Sequence, residues 1–165
     1  MLKIIKFPDP ILREKMPEFD FSNPTEDPVQ LEKAMLETMY AHEGIGLSAN
    51  QVGKRIRMFV MGNPSAPDKG FALFNPLVIA NTDDIADLDE GCLSFPDIYV
   101  KIKRPVAIKA RWQNVKGEWE ESEFRNYDCK CFLHELDHLE GITFQDRASD
   151  LKWSLAVKKR LQRMG

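Results

Sequence analysis

One stretch limits the architecture more than any other. From about Asn126 to Glu140 the chain reads as a helix stopped by Gly141. Tyr127, Cys131, His134 and His138 fall on one face of it at helical spacing. Inside it stands His134-Glu135-Leu136-Asp137-His138. Two imidazoles at i and i+4 project from the same face and can share a metal ion. Glu135, beside the first of them, can hydrogen-bond a water on that metal and take its proton, because a metal lowers the pKa of such a water toward neutrality. The plain alternative is a helix with two surface or core-lining histidines.

Two protein ligands make a weak site. A catalytic one wants about three, with a further position open for water. Three histidines are present in all, so His42 is one candidate for the third ligand. Cys92 is the better one, since it follows a glycine in Glu90-Gly91-Cys92-Leu93-Ser94, a segment that can be extended. Its plain alternative is a buried cysteine packing as a small hydrophobe. A third feature is Gly44-Ile45-Gly46-Leu47-Ser48-Ala49-Asn50-Gln51. Two close glycines let backbone approach a ligand, and Gln51 offers an amide donor for a carbonyl or a developing oxyanion. The lysine and hydroxyl of a phosphate loop are missing at the required positions. Read plainly, this is a loop that ends a helix.

The rest of the chain supplies the frame. Asp27-Pro28-Val29-Gln30 is a helix start in which Asp27 caps, Pro28 takes the first helical position and Gln30 completes a capping box. Leu31, Met35 and Met39 form the apolar stripe, and Gly44 follows as the stop, so a helix is expected from about Pro28 to His42. Ile56–Met61 and Phe71–Ala80 are apolar runs bounded by turn residues, which predicts strands. Val106, Ile108, Ala110 and Trp112 alternate with more polar neighbours, Asn114–Gly117 is a turn, and Glu118–Phe124 returns as a hairpin partner. Asp150–Arg163 predicts a short third helix, with Leu151, Leu155 and Ala156 as its buried side. Helix, strands, helix is an α+β layout: a mainly antiparallel sheet wrapped around the central helix that carries HELDH. One domain over 1–165 is expected.

Composition removes several function classes. Hydrophobic residues make up 43%, enough for a core, and the net charge of -3 lacks the basic excess of a dedicated nucleic-acid binder. Three cysteines, Cys92, Cys129 and Cys131, do not make a disulfide framework. No secretory leader and no apolar run of membrane-spanning length is visible, which makes a cytoplasmic protein without a membrane partner the expectation.

Taken together, GIGLSANQ from Gly44, EGCLS from Glu90 and HELDH from His134 resemble the three ordered motifs of the peptide deformylases. The opening Phe7-Pro8-Asp9-Pro10-Ile11-Leu12 resembles the usual start of that family, and the likeness runs from about Phe7 to Phe144. It implies a metal-dependent hydrolase that removes the N-terminal formyl group from formyl-methionyl nascent polypeptides. It implies Cys92, His134 and His138 as metal ligands, and Glu135 as general base and then general acid. Gln51 and the Leu93 N–H would stabilise the oxyanion. Ile45, Gly46 and Gly91 would line the cleft in which substrate pairs as an added strand. The implied ion is ferrous iron, with zinc, nickel and cobalt able to use the same ligands. Glu90 would pair with Arg104.

The chain departs from the family pattern in three places. Ser48 stands where alanine is usual, Leu133 where glutamine is frequent, and Tyr127-Asp128-Cys129-Lys130 is more polar than the usual lining of the methionine pocket. The basic excess of Lys152, Lys158, Lys159, Arg160 and Arg163 adds weak docking on the ribosome as an expectation, against a solvated helix face as the plain one. Three rival functions stay open at this point. A metallopeptidase of the His-Glu-x-x-His type is one. A structural zinc module, with Cys131 as a fourth ligand, is another. The third is a noncatalytic binder of formylated N-termini.

Overall fold

A computed structural model describes residues 1–164. Its elements, in chain order, begin with α1 (Pro28–Ala41), β1 (Gly46–Ser48), β2 (Met58–Asn63) and β3 (Ala66–Asn81). They continue with β4 (Ile85–Cys92), β5 (Phe95–Pro105), β6 (Ala107–Gln113) and β7 (Trp119–Arg125). The chain then closes with α2 (Asn126–Leu139), α3 (Phe144–Arg147) and α4 (Asp150–Met164). Single 3-10 turns cover Pro10–Arg13 and Ala49–Val52. The expected antiparallel sheet is present as two sheets: five strands in the order β1-β2-β3-β6-β7, and a separate β4–β5 hairpin. Both lie against α2, the helix that carries HELDH.

The five-stranded sheet has two covered faces, and β2 shows why. Its successive side chains point to opposite sides. Phe59 and Met61 go into a cluster with Phe132 and Leu139 of α2, while Met58 and Val60 go into a second cluster with Leu31, Met35 and Met39 of α1. A strand buried on both faces reads as an unbroken apolar run, which is how Met58–Met61 and Phe71–Phe74 look in the sequence.

α1 starts as expected. Asp27 accepts from the N–H groups of Val29 and Gln30, and Pro28 occupies the first turn. Gln30 contributes its main-chain N–H here, so the cap rests on Asp27. At the other end the left-handed residue is Glu43, with φ 57, rather than Gly44. The Gly44 N–H still closes the end by donating to Met39 O. Gly141, at φ 74, stops α2 as the sequence predicts.

α4 is present but turned relative to its expected face. Leu151 is 70% and Leu155 50% exposed. Ala156 is buried, with Trp153 and Val157 packed beside it against Phe95 and Phe144. Spacings of i, i+3 and i+4 fit this stripe as well as the one through Leu151. The tryptophan decides between them because it buries the larger apolar surface.

Candidate metal centre and cleft

α2 puts a row of polar groups where a core helix would carry leucines. His134, Glu135, Asp137 and His138 are all buried. Burying such groups is costly unless each finds a partner. Most of these partners come from the β4–β5 hairpin. Glu90 Oε1 lies 2.8 Å from His134 Nδ1, and Glu90 takes two hydrogen bonds from Arg104. Arg104 Nη1 also donates to Asp137 Oδ2 at 2.9 Å, and Asp137 is clasped in turn by Arg147 of α3. The Glu90–Arg104 pair expected from sequence is therefore the middle of a longer chain.

A cleft of about 570 Å³ opens above this row. Ile45, Gly46 and Gln51 form one wall, Gly91, Cys92 and Leu93 the other, and His134 and Glu135 the floor. His138 lies just behind them. Glycine is required by space at one position, and at a second it lets an exposed ring lie close. A Cβ on Gly46 would sit 2.7 Å from both Glu135 Oε2 and Cys131 Sγ, so only glycine lets β1 pass over the carboxylate. A Cβ on Gly91 would lie 2.7 Å from the ring of Tyr99.

The donor set fits a divalent ion. Cys92 Sγ is 3.3 Å from His138 Nε2, which is 3.2 Å from His134 Nε2, and the three ligand atoms all lie within 4.8 Å of one another. Corners of a tetrahedron with bonds of roughly 2.0–2.3 Å lie roughly 3.3–3.6 Å apart. Cys131 Sγ instead approaches Ile45 O, and His42 Nδ1 lies 2.9 Å from Thr38 O, so neither joins this group. A closed four-ligand module is not what these residues form.

Charge in the floor is set by burial and by Glu90. Burial works to raise the Glu90 carboxyl, but His134 and Arg104 outweigh it and hold it at about 2. For His134, burial opposes protonation, while Cys92 and Glu90 raise its pKa well above the usual value. For His138, burial and the neighbouring His134 lower it. Glu135 is raised to about 7, chiefly by burial, and its Oε1 has no hydrogen-bond partner among the described residues. A carboxylate tuned this way is suited to exchanging protons near neutral pH.

Gln51 Nε2 faces Cys92 Sγ at 3.4 Å and donates to Ser94 Oγ at 3.0 Å. An amide donor, a carboxylate with a raised pKa and a Cys-His-His cluster thus share one cleft. A model of the polypeptide deformylase family matches residues 1–153. The chain belongs to that family. It is 39% identical to the peptide deformylase of Thermotoga neapolitana over 98% of this chain and 94% of that one. With the peptide deformylase of Thermotoga petrophila the identity is 41%, over 96% and 94%. The crystal structure of peptide deformylase from Thermotoga maritima superposes with a TM-score of 0.83 at 38% identity, covering 90% of this chain and 98% of that one. The chain is accordingly a hydrolase of the deformylase family, with a Cys-His-His group that could hold a metal ion.

Within this deformylase cleft several residues had no separate signal. Ile4 and Lys6 line it because the N-terminal segment crosses its end, where Ile5 N–H donates to Gln51 O. Tyr99 lines the rim from β5. The polar stretch before HELDH divides on folding. Tyr127, in the first turn of α2, is 59% exposed. Cys129 turns into the core, where burial raises its thiol to about 11. Only Lys130 of the four lines the cleft, with its ammonium drawn aside to Asp89 O at 2.7 Å. What it offers a ligand is mainly its aliphatic stem.

Proposed function

We propose that this chain hydrolyses the formyl amide of formyl-methionyl nascent polypeptides, releasing formate and a free N-terminal amine, with residues 1–165 acting as one catalytic domain. The observation that carries the reading is the convergence of Glu135, Gln51 Nε2 and the Cys92–His134–His138 group on one cleft. Those three residues would hold the metal, which supplies Lewis acidity and a water acidified toward neutral pH. Ferrous iron is the ion proposed, and zinc, nickel and cobalt suit the same donors.

The cleft supports these roles for the protein's own residues. Ile45 just before β1 and Gly46 at its start, with Gly91 opposite, present backbone to an extended peptide, which enters as an added strand. Glu135 takes the proton of the attacking water and later delivers it to the leaving nitrogen as the C–N bond breaks. Gln51 Nε2 and the Leu93 N–H donate to the formyl oxygen as it gains charge, and losing one such donor costs about 10²–10³ in rate.

Formate release from a formyl-Met peptide by iron-loaded protein tests the reading. Formate with the peptide otherwise intact is the expected result. Cleavage of unformylated peptides would point to the metallopeptidase alternative, and binding without turnover to a formyl-peptide binder.

We further propose a cytoplasmic location and weak ribosome association through α4. No helix among the described residues is long and apolar enough to cross a membrane. Lys158 and Lys159 are exposed alongside Leu155, whereas Lys152 leans on Asp87 and Arg163 on Asp97 O. Co-sedimentation with ribosomes at low salt should weaken when Lys158 and Lys159 are replaced by Ala. An unchanged result would leave α4 as a surface helix only.

A further inference from the structure

A glutamine amide that serves as an oxyanion donor must present nitrogen, not oxygen, to the reacting group. The two ends have nearly the same shape, so the surroundings must choose between them. At the cleft end, Ser94 Oγ spends its one proton on Ile5 O at 2.6 Å and can only accept from Gln51 Nε2. At the far end, Gln51 Oε1 accepts from the Ser48 N–H at 3.0 Å and lies 2.9 Å from Ser48 Oγ. The same hydroxyl is 2.8 Å from Asn50 Oδ1, and Asn50 is itself oriented by donating Nδ2 to His138 O. Ser48, Asn50, Gln51 and Ser94 are all buried, so water does not replace a lost partner freely.

Ser48 thus places one proton between two amide oxygens. With alanine there, the usual residue of this motif, those oxygens would share no donor side chain, and Oε1 would be distinguished from Nε2 only by the main-chain N–H of residue 48 at one end and the accepting Ser94 Oγ at the other. We propose that Ser48 is a positioning residue for the hydrolysis: its hydroxyl holds the Gln51 amide with Nε2 turned to the reacting oxygen. This rests on the deformylase reading above. The plain alternative is that Ser48 only caps the 3-10 turn Ala49–Val52, since it stands at its N-cap.

A double-mutant cycle separates the two. In the parent, Ser48→Ala should lower kcat about three- to tenfold, the worth of one hydrogen bond, with KM and bound metal unchanged. In a Gln51→Leu background the same change should cost nothing, since no amide is left to orient. An equal loss in both backgrounds would show a cap alone and overturn the proposal, as would an unchanged kcat in the single variant. A second readout needs no turnover. Exchange of the Gln51 side-chain NH₂ protons with solvent, followed by ¹⁵N–¹H NMR, should quicken in Ser48→Ala, and an unaltered rate also overturns it. If the parent releases no formate, the functional reading fails instead, and that result is distinct from any of these.

Discussion

His134 and His138 stand one turn apart on the same helix and bring their Nε2 atoms to within 3.2 Å, yet they are held by different means. Behind His134 runs a line of alternating charge: Glu90, Arg104, Asp137 and Arg147, reaching from β4 through β5 and α2 to α3. Behind His138 there is no such partner. Its Nδ1 meets no hydrogen-bonding group among the described residues, and the residue is tied through its main-chain carbonyl to Asn50 Nδ2. A carboxylate on the outer nitrogen fixes an imidazole's tautomer and raises its basicity as a ligand. The difference implies that His134 is the electrically tuned member of the pair and His138 the one placed by packing. Perturbing one side should therefore change affinity for metal, and perturbing the other should change mainly stability.

The largest effect is expected where the two sides meet. Cys92 completes the cluster, and Cys92→Ala should weaken metal binding by more than about 100-fold, beyond what losing an outer partner costs. Metal analysis after dialysis checks this, and a variant that keeps a full equivalent as tightly as the parent would remove Cys92 from the ligand set. Glu135 lies between the histidines in sequence but belongs to neither support. Glu135→Gln should keep its metal and lose roughly 10²–10⁴ in turnover. Near-normal turnover there would mean that the base has been misassigned.

What the sequence could and could not disclose follows from where each signal is stored. α2, α1 and the β6–β7 hairpin were legible because their periodicity, caps and turn lie within a dozen or so consecutive residues. The β4–β5 hairpin was not. Asp87-Leu88-Asp89-Glu90-Gly91-Cys92 has little apolar content because most of its strand faces solvent, and only its pairing with β5 makes it regular. The proposed ligands and base could be named because they sit in short motifs. Their supports could not, apart from Glu90 and Arg104. Asp137–Arg147, Ser94–Ile5 and Asn50–His138 join residues that only the fold brings together. The buried face of α4 was misread for a related reason. Two stripes fit its spacing, and the neighbour that selects Trp153, the Phe95–Phe144 pair, lies outside the helix.

A sharper probe is Glu90→Gln, which keeps an oxygen opposite His134 Nδ1 but removes the charge. Metal affinity should fall about 10- to 100-fold. The metal-free protein should also melt earlier, because Arg104 is left buried with one carboxylate, Asp137, in place of two; breaking a buried pair costs about 3–5 kcal/mol. Competition with a chelator measures the first and thermal unfolding the second. Unchanged affinity alongside a lowered melting point would mean that Glu90 only balances Arg104, and that His134 is not tuned by it.

The smallest effect should come from the His138 side. Asn50→Ala removes the donor to His138 O, but that carbonyl also accepts from the Gly141 N–H at 3.0 Å, so it is not left bare. The cost should be that of two buried hydrogen bonds, to His138 O and from Ser48 Oγ, about 0.5–1.5 kcal/mol of stability each, with metal affinity lowered less than in Glu90→Gln. Unfolding curves with and without zinc give both numbers on one sample, because zinc bound only by the folded state raises its stability in proportion to the logarithm of its affinity. If Asn50→Ala loses more metal affinity than Glu90→Gln, the main-chain tether rather than the charged relay sets the ligand geometry, and the assignment of roles to the two histidines reverses.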